Sequence, residues 1–168
     1  MAAPVAYLHF APQVLHWIVV AAIFAITISI ILAVRAIFLG AITDARWMFR
    51  LSLPSSIAIT VIYTSNLALS LYYVPTGSGW QWIVFQALGI FFMCMSLLAA
   101  WLNLVNSACQ LGDSDVVRAS PFRMWVIEAT RRYTLPGFTV IAMVFAIVAL
   151  LLINGLAAEW LMSFTSNG

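Results

Sequence analysis

Apolar residues fill four long stretches of this chain, and polar residues cluster in the gaps between them. The first stretch, VLHWIVVAAIFAITISIILAV, runs from about Val14 to Val34. The others run from about Ser55 to Val74, Trp80 to Asn106 and Gly137 to Leu161. Each is close to the roughly 20 apolar residues needed to cross the hydrocarbon core of a bilayer. Backbone groups inside hydrocarbon must be satisfied within their own segment, so each stretch is predicted to be a helix.

Composition points the same way. The 168 residues are 65% hydrophobic and only 7% charged, against about 25% charged in a soluble domain. A soluble fold of this size hides only about 70% of its chain surface, too little for a mean hydropathy of +1.09. The predicted class is an all-α integral membrane protein. It has four transmembrane helices in one compact polytopic bundle over residues 1–168. MAAPVAYLHFAPQ carries no basic residue before the first apolar run, so that run is expected to be a retained helix and not a cleaved signal. The cysteines, Cys94 and Cys109, form no CxxC motif and suggest neither a disulfide nor a zinc site.

Charge sets the expected orientation. All seven basic residues are arginines. Arg35, Arg46 and Arg50 fall between the first and second stretches, and the other four between the third and fourth. By the positive-inside rule these loops are cytoplasmic and both termini are not. A bacterial inner membrane fits this pattern.

RASPFRMWVIEATRRYTLP (118–136) holds Arg118, Arg123, Arg131 and Arg132 among aromatic residues. Ser120 suits an N-cap and Pro121 the first helical position. Phe122, Trp125, Val126 and Ala129 then recur at helical spacing, and Glu128 can pair with Arg132. This predicts a short cytoplasmic amphipathic helix over about 121–132, at the headgroup layer. Its arginines would meet anionic lipid headgroups or a docking partner. The loop is too short for a nucleic-acid module, and the net charge is only +2, so no nucleic-acid partner is expected.

Polar residues within the stretches form lanes. In the third stretch Gln86, Gly89, Met93, Ser96, Ala100, Asn103 and Ser107 alternate at spacings of three and four. Such a seam of small and polar residues lets helices approach closely in a membrane. It predicts packing against a neighbour, in this chain or another. In the second stretch Tyr63, Asn66, Ser70 and Tyr73 share one face, which is expected to turn away from lipid. Ala21, Ala25, Ser29 and Ala33 form a small-residue ladder in the first stretch, and Ala142 and Ala146 a shorter one in the fourth.

His9 and His16 are candidate haem or cofactor ligands. One helix cannot present two opposed axial ligands, so another chain would have to contribute. There is no nucleophile with a base, no paired-carboxylate arrangement, no phosphate loop and no metal-ligand cluster in the sequence. The expected role is a non-catalytic structural subunit of a larger membrane complex, such as a secretion or conjugation machine, a respiratory complex or a transporter. Other membrane subunits are its expected partners. No cofactor is predicted, though bound phospholipid is. The first alternative is a small homo-oligomeric channel or carrier lined by the third-stretch seam. The second is a cofactor-holding subunit using His9 and His16.

Overall fold

The computed structural model describes residues 2–39, 45–72, 80–111, 125, 128, 135–157, 159–160 and 163. The described residues form four long helices: α1 (Ala2–Phe38), α2 (Ala45–Tyr72), α3 (Trp80–Leu111) and α4 (Leu135–Ile153). Three contain stretches long and apolar enough to cross a membrane: Ala6–Phe38, Leu51–Leu69 and Ile83–Ala108. The fourth, α4, has 19 residues, or about 28 Å at about 1.5 Å per residue. Its described apolar core, Val140–Ile153, is shorter than the other three.

The helices outrun the apolar stretches that mark them. α1 begins at Ala2 instead of Val14, and α2 at Ala45 instead of Ser55. An apolar window reports where hydrocarbon is needed, whereas a helix continues until something stops it. The predicted fourth stretch behaves differently. Its helix stops at Ile153, followed by a turn at Asn154–Gly155 and helical residues from Leu156. Gly155 sits at φ 77°, a conformation that side chains with a Cβ rarely adopt. Its N–H donates to the Leu152 carbonyl (3.3 Å), three residues back, and its own carbonyl accepts from Glu159 N–H (2.9 Å). Asn-Gly near the end of an apolar run was the available turn signal.

α2 and α3 form the centre. α1 packs on α2 and α3, and α4 packs on α3 and α2; α1 and α4 do not touch among the described residues. Cross-helix bonds set the levels. Tyr7, early in α1, donates to Gln86, early in α3 (3.1 Å). Ser29, late in α1, meets Leu51, early in α2. Ser96 in mid-α3 donates to the Ala142 carbonyl of α4 (2.8 Å). Gly89, early in α3, lies against Ile153 at the end of α4, which gives a second α3–α4 level, so the helices run alternately up and down. Small residues occupy the contacts: Ala22, Ala25 and Ala36 of α1, Ala58 and Ala68 of α2, Ala100 of α3, and Ala142 and Ala149 of α4 are all buried. Large apolar residues such as Phe24, Phe91 and Ile147 are exposed on the outside.

Pro54 lies inside α2 and brings no N–H to the helix ladder, while its ring crowds the preceding turn. α1 answers at this point. Ser29 Oγ donates to the Leu51 carbonyl and accepts from Ser55 Oγ (2.8 Å). The carbonyl that loses its usual donor to Pro54 is that of Arg50, four residues back, so the Ser29 hydroxyl engages the next carbonyl of the same turn. Ser29→Ala should lower stability by about 1 kcal/mol, read as a lower unfolding midpoint in detergent. Thr27→Ala, whose exposed hydroxyl donates to the Ile23 carbonyl of its own helix (3.0 Å), should leave the midpoint nearly unchanged.

Candidate functional site

The α3 seam is where polar chemistry enters the interior. Gly89, Met93, Ser96, Ala100, Asn103 and Ser107 are all buried, and Gln86 is half-buried. Gln86, Gly89, Met93 and Ser96 meet other helices of the same chain. Gln86 accepts from the Tyr7 hydroxyl through Oε1 and donates through Nε2 to the Ala68 carbonyl (3.0 Å), so one amide ties α1, α2 and α3 together. Gly89 lies against α4, where an added Cβ would fall 2.5 Å from Ile153 Cγ1 and 3.4 Å from the Ala149 carbonyl oxygen. Met93 Sδ lies 2.9 Å from Thr64 Oγ1 and 3.4 Å from Ser65 Oγ, both on α2.

Thr64 and Ser65 were missed by the sequence reading. Their hydroxyls also reach backbone carbonyls of their own helix, Thr64 at Thr60 and Val61 and Ser65 at Val61. This is the usual way a hydroxyl is satisfied within a helix. α2 carries two competing lanes. One passes through Ile57, Val61, Thr64, Ser65 and Ala68, and all five residues are buried. The other passes through Tyr63 and Asn66, and both are exposed. The Tyr63–Asn66 face therefore takes no part in the packing of this chain's own helices among the described residues. The buried lane combines Ile57 and Val61 with the small Thr64, Ser65 and Ala68, whereas the bulky Tyr63 phenol and the Asn66 amide stay on the outside. Ser70 and Tyr73 side chains lie outside the described residues.

His9 and His16 are exposed and stand edge-on to their chain neighbours, at ring-centroid distances of 5.3 Å to Phe10 and 6.1 Å to Trp17. Among the described residues no three His, Cys, Asp or Glu side chains converge as a metal site would require. Cys94 is a free thiol, half-buried on α3. It borders a groove of about 400 Å³ between α1 and α3, lined by apolar side chains including Trp17, Leu98 and Trp101. Arg35 is exposed in the last turn of α1, where a cation complements the helix dipole. Arg118, Arg123, Arg131 and Arg132, and with them the expected amphipathic helix, lie outside the described residues. Of that segment only Trp125 and Glu128 are described, both helical and exposed.

Compared with protein-family models, with curated proteins and with solved structures, the chain matches none.

Proposed function

We propose that this chain is a four-span integral membrane protein serving as a non-catalytic structural subunit of a larger membrane assembly. The observation that carries this reading is how the interior uses its polar groups. Ser29, Ser55, Gln86 and Ser96 each hydrogen-bond to another helix of the bundle. Polar groups so engaged hold helices together; they do not converge on a reacting centre. The exposed residues of α3 and α4 within the apolar segments are apolar, as a lipid-facing or subunit-facing surface requires. α4 is the fourth crossing, since its helix is about as long as the hydrocarbon core is thick. The groove between α1 and α3 suits an acyl chain of bound phospholipid. The arginine-rich segment at 118–132 meets anionic headgroups or a cytoplasmic partner, and both termini lie on the non-cytoplasmic side of a bacterial inner membrane.

The channel alternative has less support. A pore lined by Gln86–Asn103 would need that seam facing an open space, whereas Ile153, Ala142 and Thr64 lie against it. Purification from native membranes in mild detergent, with mass analysis of the companions, tests the reading. Foreign membrane chains in constant ratio are expected. Recovery of this chain with no other protein would contradict the assembly role.

A further inference from the structure

Within the apolar segment Leu51–Leu69 of α2, the exposed residues are Ser52, Ser56, Ile59, Tyr63 and Asn66. They follow one another at spacings of four, three, four and three, so they form one narrow lane. Ile59 and Tyr63 are each 60% exposed. All but Ile59 are polar, whereas the exposed residues of the corresponding segments of α3 and α4 are apolar throughout. Ser56 donates its hydroxyl to the Ser52 carbonyl (3.1 Å) within the helix. No hydrogen bond joins the Tyr63 hydroxyl or the Asn66 amide to another described residue. A primary amide facing hydrocarbon without partners is strongly disfavoured.

We propose that this lane is the contact between α2 and α2 of a second copy of the chain. The inference rests on the membrane placement proposed above and not on the identity of any other subunit. Every copy inserted by the same signals has the same orientation, so two α2 helices meet in parallel about a two-fold axis along the membrane normal. At such an interface each residue near the axis meets its own counterpart. The Asn66 amide carries two N–H donors and a carbonyl acceptor, and the Tyr63 phenol one O–H donor and an acceptor oxygen. Each can bond to its own image. The lane has no charged residue, so it asks for no oppositely charged partner, and an acyl chain offers no hydrogen bond at all. The mean spacing of about 3.5 residues is that of a left-handed pair crossing at roughly 20°. Ile59, at the centre, supplies the apolar knob between the polar levels.

The test is disulfide mapping in native membranes. Cys94 and Cys109 are first replaced by Ala. Single changes Ser56→Cys, Ile59→Cys and Asn66→Cys are then compared with Phe91→Cys and Ile147→Cys on the apolar faces of α3 and α4. Mild copper-phenanthroline oxidation should give an adduct of twice the chain mass at the lane positions and little at the control positions. Asn66→Leu should lower the association constant roughly three- to tenfold, from the loss of one or two membrane hydrogen bonds. A lane adduct with a foreign chain overturns the pairing. So does the absence of any lane adduct while the chain stays in the carbonate-washed membrane pellet. Release of the chain by carbonate would overturn the membrane placement itself, and the pairing with it.

Discussion

Gly89→Leu should loosen α4 from α3 and give the largest loss of stability of any change on the seam. Gly89 is buried where the two helices approach most tightly among the described glycines. A Cβ there would already lie 2.5 Å from Ile153 Cγ1 and 3.3 Å from its Cδ1. Ile153 cannot step aside easily, because it is β-branched, buried and one residue from the turn at Asn154–Gly155. Overpacking of this kind typically costs about 1–3 kcal/mol, and the added Leu carbons place this site toward the upper end. Unfolding of the purified protein in detergent should show the drop. A double-mutant cycle identifies its cause. Ile153→Ala removes the clashing atoms, so Gly89→Ala with Ile153→Ala should be milder than the sum of the single changes. Strict additivity would mean that the contact is not the source.

Met93→Ala should be the most damaging truncation on α3. Met93 is 0% exposed, and its sulfur sits against the Thr64 and Ser65 hydroxyls of α2. Removing it opens a cavity between the central helices. Such truncations cost about 2–5 kcal/mol in water-soluble cores. In a bilayer the lower end of that range, about 2 kcal/mol, is expected, because lipid is as apolar as the vacated site and mainly packing is lost. The same helix supplies the comparison. Phe91 and Leu98 are 54% and 53% exposed. Phe91→Ala and Leu98→Ala should stay within about 0.5 kcal/mol of the parent. Similar losses at all three positions would mean that α3 has no distinct inner side.

The two sites also show which parts of the fold were legible. On α3 the alternation from Gly89 to Ser107 stands out because large apolar residues occupy the rest of the helix. One lane is small and polar, and that lane is buried. On α2 no such contrast exists. Ala58, Ser65 and Ala68 on one side and Ser56, Tyr63 and Asn66 on another are both plausible inner lanes by spacing. Polarity favoured the second, yet the chain buries the first. Pairwise bonds were beyond sequence reading for a different reason. Tyr7 with Gln86, Ser29 with Leu51 and Ser96 with Ala142 depend on the relative levels of helices. Helix level follows from packing and connections, which spacing within one helix does not encode. The end of α4 at Ile153 was partly visible in Asn154–Gly155. Hydropathy alone carried the expected stretch past it to Leu161.

In the proposed bundle the chain crosses the membrane four times, with the arginine-bearing loops inside. Three helices carry stretches long and apolar enough to cross, and α4 decides whether the number is odd or even. Dual topology reporters placed before Met1, within the loop near Asp113 and after Gly168 read this directly. The expected pattern is a non-cytoplasmic signal at Met1, a cytoplasmic one near Asp113 and a non-cytoplasmic one after Gly168. A cytoplasmic signal after Gly168 with the other two unchanged would leave α4 on the inner side of the membrane and contradict the four-span bundle.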